Sequence, residues 1–518
     1  MVEPGAISPE RADRPLVLAL DVGSSSVRAA LYDGRGRALR GCAVQVPYAW
    51  NVASDGSVRL SHLTLLDLVG RTLDEITATA GSLASEVVAG GISCFFHSIV
   101  GLDDGGRPIT PVLSWADTTS AAAAAALRKQ IDPKAVHACT GVPIHASYWP
   151  ARVIRLRQEQ PAIRRWAGFP ELLAESLTGR AAVSRSMASG TGLLDRARGT
   201  WSELVLEHLG IAPRDLPTLV ADDEPIGRMS SNAADRWPRL AQAAWFAPWG
   251  DGGCGNVGLA AAGPGKAALM VGTSGALRAI VADPAPSILG GLFAYRLGAG
   301  AVVGGQLSEG GGMLAWVSRL LGRSLASLER AAAGMPADTH GLTVLPYTFG
   351  ERGLGYHDGA RGSLTGLSAG TDAAAIYRAI VESIAYGFAA IDDRLSDVLR
   401  GIPAIVASGG ALTHSPLLAQ VLADSLGRDI GIAPALEASR RGAALLALRG
   451  AGLLDDLMAI PGPPTRTIRS DPDRSARYRA ARARQNALYE TILDASEPWV
   501  VGAPEAAAGL RPARPSAA

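Results

Sequence analysis

Two short segments of the chain repeat one pattern, and the repeat limits the fold more than any other feature. Leu16-Val-Leu-Ala-Leu20 runs into Asp21-Val-Gly-Ser-Ser-Ser26 and then Val27-Arg-Ala-Ala-Leu-Tyr32. Far downstream, Ala267-Ala-Leu-Met-Val271 runs into Gly272-Thr-Ser-Gly275 and then Ala276-Leu-Arg-Ala-Ile-Val281. Each reads as an apolar strand, a tight Gly/Ser/Thr turn and a second strand. Such a turn presents backbone N–H groups and hydroxyls in a concave nest that suits phosphate oxygens. The first copy adds Asp21 at its lip, where a carboxylate can hold Mg²⁺ directly or through water. Two such hairpins predict two related domains that face one nucleotide.

The 518 residues accommodate two large domains, and a 48% hydrophobic content supplies their cores. The formal charge of +1, without a basic run, argues against a nucleic-acid partner. Cys42, Cys94, Cys139 and Cys254 are scattered with no C-x-x-C spacing and read as small buried thiols in a reducing compartment. Residues 1–14 carry Pro4, Glu10, Arg11 and Asp13, which is neither a signal peptide nor a membrane span. The apolar stretch 254–282 is interrupted by glycines, Pro264, Lys266 and Arg278. The expectation is a cytoplasmic protein, monomer or homodimer, without a membrane.

Residues 1–14 and 501–518 lack periodicity and read as disordered tails. Between them strands and helices alternate, which is the pattern of an α/β protein. Helices are expected over Ser61–Thr79, Ala121–Gln130 and Thr371–Leu399, and buried strands over Val87–Ser93 and Ala404–Ala407. On the long helix Ile376, Ile380, Ile384, Phe388 and Ile391 form one stripe and are assigned to the core. The Pro/Asp/Ser-rich segment 213–238 closes a first domain, placed at 15–246, and a second follows at 247–500. Ser408-Gly-Gly-Ala411, ahead of a helix from Pro416, opens a helix N-terminus toward a ligand.

A Walker-type phosphate loop is absent. Its nearest candidate, Gly263-Pro-Gly-Lys266, lacks the upstream glycine and is followed by Ala267. Phosphate binding therefore falls to the two hairpins. Asp251 lies in Trp249-Gly-Asp-Gly-Gly-Cys-Gly-Asn256, where small neighbours let a ligand approach closely. Phosphoryl transfer to an alcohol needs a carboxylate that accepts the hydroxyl proton. Asp251 is a candidate for that role, although an Asp before Gly also simply makes turns.

Taken together, these segments resemble the FGGY carbohydrate kinases in order and spacing. The resemblance rests on Asp21-Val-Gly-Ser-Ser-Ser, His97, Leu102-Asp103, Trp115-Ala-Asp117, the Asp251 glycine run and Gly272-Thr-Ser-Gly. Gly350-Glu-Arg352, Tyr356-His-Asp358, Arg361-Gly362 and Ser408-Gly-Gly-Ala extend it over roughly residues 16–450. Thr140–Pro150, Met187–Asp195 and Gly272–Arg278 look most similar to the gluconokinase branch. The resemblance implies an actin-like ATPase fold, two ribonuclease-H-like α/β domains around a cleft. It implies ATP and Mg²⁺ as cofactors, a sugar or sugar acid as acceptor, and Asp251 as general base. It places Asp21 at the metal, and Ser24, Ser26, Gly272 and Thr273 at the phosphates. Gly410, Ala411 and Ser415 would line the adenosine pocket, and His97, Trp115 and Asp117 the sugar.

Gluconate is the expected acceptor. A ketose kinase for xylulose, ribulose or a seven-carbon ketose is an alternative, as is a non-sugar actin-like ATPase or regulatory binder that shares the hairpins. Three departures from the family pattern stand on the sugar side: Phe95-Phe96 in place of Gln-Met before His97, Thr119 in place of Arg, and Ser184 in place of Asp. They are expected to remove a polar sugar contact, to leave Asp117 freer to bind a hydroxyl, and to alter the acceptor pocket. Arg152 or Arg155, on a helix beyond Pro150, is a candidate partner for an acceptor carboxylate.

Overall fold

The computed structural model describes residues 5–494 except 349, 402–403 and 435–436. The first sheet is built on β1 (Leu16–Val22), β2 (Ser26–Tyr32), β3 (Ala38–Pro47), β4 (Val87–Cys94) and β5 (Ala244–Phe246), in the order β3-β2-β1-β4-β5. β1 pairs antiparallel with β2 and parallel with β4, and β4 pairs parallel with β5. The central strand β1, LVLALDV, is buried at every position, as a strand covered on both faces requires.

The second sheet repeats this plan with β6 (Lys266–Val271), β7 (Gly275–Val281), β8 (Gly300–Leu307), β9 (Ala404–Ser408) and β10 (Ile430–Ile432). Its order is β8-β7-β6-β9-β10, flanked by Phe293–Leu297 and Arg466–Ile468. β6 is antiparallel to β7 and parallel to β9. The two hairpins seen in the sequence are therefore the same element of two equivalent halves. The fold is α/β, two ribonuclease-H-like halves of the actin-like ATPase type.

Three helices position the site: α1 (Asp251–Gly258), α2 (Ala373–Leu399) and α3 (Ala438–Gly450). α2 is the core helix of the second half, with Ile380, Ile384, Phe388 and Ile391 buried and Ile376 partly so. It is long and apolar enough to cross a membrane, but 83% of its most apolar window is buried inside the protein. α3 comes late in the chain yet joins the first half's core through Ala443, Leu445 and Leu448. Its Arg441 Nε donates to Gly36 O (3.0 Å).

α1 and α3 touch backbone to backbone. A Cβ on Gly258 would lie 1.9 Å from Ala438 O, and one on Gly442 would lie 1.8 Å from Cys254 O. The glycine run after Asp251 is thus a helix rather than the turn its composition suggests, and its glycines are what let α3 approach.

Local signals read correctly elsewhere. Ser61 caps the helix His62–Ala80 by accepting from Leu63 N, and Asp372 caps α2 by accepting from Ala375 N. Residues 5–14, expected to be a tail, are instead tied to the first sheet. Ile7 N donates to Ala38 O (3.0 Å), Arg40 N donates to Ile7 O (2.7 Å), and Arg14 pairs with Glu86 (2.6 Å). The segment 501–518 lies outside the described residues.

Candidate active site

β4 brings two carboxylates together. On one side of it Asp21, near the end of β1, is in register with Ser93; on the other, Trp249 pairs with Ser93 and Gly250 with Cys94. Asp251 follows at once as the first residue of α1, with Gly250 as the N-cap. Both acids therefore stand at the carboxyl edge of parallel strands, where ligands of open α/β sheets bind. Ser93 Oγ donates to Asp21 Oδ1 (2.7 Å), and Arg28 Nη1 donates to Asp21 Oδ2 (3.3 Å) while also pairing with Glu437 (3.1 Å). Burial pushes the Asp21 carboxyl above its ordinary range, against the pull of Arg28 and Ser93. Asp251 is pushed up to about 6, first by burial; Arg278 opposes the shift and the Asp21 charge adds to it. The Asp21 carboxylate, whose charge is felt by Asp251, is the oxygen ligand here that suits a hard divalent cation.

The first hairpin turn exposes Ser24 and Ser25, whereas Ser26 is buried as the first residue of β2 and accepts from Gln45 Nε2 (3.3 Å). Trp50 Nε1 and Tyr48 Oη brace the turn by donating to Ser24 O (2.9 Å) and Gly23 O (2.6 Å).

On the second half, Gly272 and Thr273 are exposed at the hairpin tip. The N-terminus of the helix Gly311–Leu320 docks on that tip, with Gly311 N donating to Gly272 O (2.8 Å) and Gly312 N to Thr273 O (3.0 Å). The turn after β9 crosses beside it. Gly409 has φ +117°, and a Cβ there would lie 2.2 Å from Val271 O. Gly410 is exposed and Ala411 partly so, and the Ala411 methyl faces Gly311. Three backbone turns thus converge on one surface, with Gly272, Thr273 and Gly410 exposed on it. Ser415 is buried instead: its Oγ donates to Glu329 (2.9 Å) and accepts from Leu418 N (3.0 Å), which makes it a helix cap below that surface.

The opposite wall holds His97, Trp115 and Asp117. His97 sits at φ +68° and its Nδ1 donates to Gly190 O (2.6 Å), which leaves Nε2 as an acceptor. Burial and the Arg352 charge hold its pKa well below the ordinary value, so the ring stays neutral. Its ring contacts Phe96, Tyr148 and Tyr295. Trp115 is half-buried, with the Arg352 guanidinium 4.9 Å above its ring. Asp117 is 1% exposed, and its carboxylate accepts from Val58 N (3.0 Å), Thr119 N (3.2 Å) and Thr119 Oγ1. Thr119 therefore occupies Asp117 rather than freeing it.

Of the other two departures, Phe96 stacks on His97 in the wall, whereas Phe95 and Ser184 lie behind it. Phe95 is 1% exposed and packs between Trp50 and Phe169, while Ser184 Oγ donates to Pro248 O (2.6 Å) just ahead of Asp251. Phe95 and Ser184 act on packing beneath the site.

Arg152 does not reach a ligand. It is 0% exposed and donates to the carbonyls of Ala146, His97, Ser114, Trp115 and Asp117, so it staples the wall together from behind. Arg155 is paired with Ser120 and Glu159. The sequence reading gave no role to two other arginines. Arg278 lies beside Asp251 and donates to the Met270 sulfur (2.7 Å); Arg352 stands over Trp115. Both lie inside the segments that carried the family resemblance, which was the available signal.

Comparison with known proteins agrees with this geometry. Residues 16–258 match the N-terminal domain of the FGGY family of carbohydrate kinases, and residues 267–451 match its C-terminal domain. A gluconokinase of Bacillus subtilis is 25% identical over 483 residues, covering 89% of this chain and 93% of that protein. The crystal structure of a gluconate kinase from Lactobacillus acidophilus superposes with a TM-score of 0.84 at 24% identity, over 92% of this chain and 98% of the other. A ligand-bound xylulose kinase from the same organism superposes with a TM-score of 0.85 at 24% identity, over 93% and 99%. With both family domains matched in order and the two-sheet fold in place, the chain belongs to the FGGY family of carbohydrate kinases, phosphotransferases that use ATP.

Proposed function

We propose that this kinase transfers the γ-phosphoryl group of ATP to a primary hydroxyl of gluconate, with Asp251 as the general base. The observation that carries the reading is the placement of Asp251, buried one strand from Asp21 across β4 and within reach of the charges of Arg278 and Arg352. The exposed turns at Ser24, Gly272–Thr273 and Gly410–Ala411 receive the nucleotide, with Ser26 and Ser415 supporting them from below. Asp21 would hold Mg²⁺ through its carboxylate. When bound, the ion neutralises phosphate charge. Asp251 takes the hydroxyl proton as the oxygen attacks in line. His97 Nε2 accepts a hydrogen bond from a sugar hydroxyl, and Trp115 lines the pocket. Closure of the halves excludes water, which would otherwise hydrolyse ATP. Free thiols at all four cysteines suit a reducing, cytoplasmic setting.

Gluconokinase relatives support gluconate, and relatives named as xylulose kinases support a neutral ketose as the second reading. Coupled ADP release over a panel of aldonates, ketoses and polyols tests the choice. The expected result is the highest kcat/KM with gluconate. Turnover of xylulose with none of gluconate overturns the acceptor assignment.

A further inference from the structure

Arg352 faces the acceptor wall with its guanidinium over the Trp115 ring and, among the described residues, no carboxylate partner. Among the same residues its buried Nε has no hydrogen-bond partner. The neighbouring cations differ. Arg152 is taken up by carbonyls, Arg155 by Ser120 and Glu159, and Arg128 by Ile144 O (2.8 Å) and Asp358 (3.1 Å). Trp115 covers a face of the Arg352 guanidinium and Nε is buried, so the Nη groups are what a ligand can reach. Its charge is felt by His97, Tyr295, Tyr356 and Asp251, so it overlooks the space between the base and the sugar wall.

The loop that carries Arg352 is braced. Glu351 accepts from Gly355 N (2.7 Å) and Tyr489 Oη (2.7 Å), and Glu351 N donates to His357 O (2.9 Å). Asp358, at the loop's end, is fixed to His145 Nε2 (2.9 Å) and Ala146 N (3.1 Å) of the first half. A guanidinium stacked on a ring and set on a braced loop is preorganised for bidentate pairing with a planar anion.

We propose that Arg352 is the specificity residue of the acceptor pocket and pairs with the carboxylate of a sugar acid. The assignment rests on the aldonate reading given under Proposed function and extends it to a named contact. Charged hydrogen bonds of this kind set a selectivity of about 100-fold between an acid and a neutral acceptor. The phosphoryl group in transfer is the other anion within reach, and the two sources separate kinetically.

The test compares wild type, Arg352→Gln and Arg352→Lys with gluconate and with xylulose as acceptors, alongside calorimetric ATP binding as a check on folding. The expected result for Arg352→Gln is a fall of about 100-fold in the gluconate-to-xylulose ratio of kcat/KM, carried mainly by the KM for gluconate. Arg352→Lys recovers part of that ratio. A loss of kcat shared equally by both acceptors, with the ratio unchanged, overturns the proposal and assigns Arg352 to the phosphoryl group. Wild type that uses gluconate, with an unaffected Arg352→Gln, overturns the proposal alone. Wild type that uses only neutral acceptors overturns the aldonate reading as well.

Discussion

A base that collects a proton from a hydroxyl must be ionised when the hydroxyl arrives. Asp251 is pushed up to about 6, chiefly by burial, so it is ionised at neutral pH but basic enough to take the proton in flight. Below about 6 the protonated fraction grows, and kcat/KM should fall tenfold for each pH unit. The Arg278 charge works against this shift. Replacing Arg278 with Met removes a stabiliser of the carboxylate, so the acid limb should move to higher pH. A pH–rate profile of Arg278→Met that overlays wild type would show that another group controls the limb. Asp251→Asn should lower kcat about 1,000-fold, within the range of general-base contributions. Its ATP affinity should hold or tighten, because one negative charge leaves the neighbourhood of Asp21. Turnover near the wild-type rate would place the base elsewhere.

Elements differ in how far their own residues announce them. The hairpins β1–β2 and β6–β7 were legible because an apolar run, a turn of small polar residues and a second run is a local signal. α1 was not, because its four glycines disfavour a helix in isolation and are explained only by α3, which arrives from the far end of the chain. Ser26 and Ser415 were grouped with ligand-facing residues because they sit in the right motifs. Strand alternation turns Ser26 into the sheet, and the Pro after Ser415 marks it as a helix cap. Arg352 had no readable role because its partner Trp115 is remote in sequence. The α1–α3 contact makes its own prediction. Gly442→Ala sets a methyl 1.8 Å from Cys254 O, and backbone cannot yield as a side chain does. It should destabilise by about 3 kcal/mol or more, seen as a lower midpoint in denaturant unfolding. Gly334→Ala, with open space around it and negative φ, should stay within about 0.5 kcal/mol of wild type. Equal midpoints for the two variants would show that the close approach of the helices does not limit stability.

Contacts cross between the two halves of the molecule on two sides of the site. Behind Asp251, Asp222 accepts from Ser186 N (2.9 Å) of the first half and Gly298 N (2.6 Å) of the second. On the acceptor side, Asp358 of the second half accepts from Arg128 (3.1 Å), His145 (2.9 Å) and Ala146 N (3.1 Å) of the first, and Tyr148 Oη meets Tyr295 Oη (3.1 Å). Burial alone would raise the Asp358 carboxyl; the hydrogen bond and charge of His145, with Arg128, more than offset it and hold the pKa below the ordinary value. The ionised Asp358 is therefore a charged contact between the halves that their separation would break. Removing its charge should shift the closing equilibrium by the worth of one or two charge-assisted hydrogen bonds, about 1.5–3 kcal/mol. Asp358→Asn should raise the acceptor KM at least tenfold, because acceptor binding would then have to drive closure unaided. It should also raise the ratio of ADP released without acceptor to ADP released with it, since water enters an open cleft. Small-angle scattering should show a larger radius of gyration for this variant than for wild type. An acceptor KM and a radius both matching wild type would mean that the Asp222 side alone keeps the halves together.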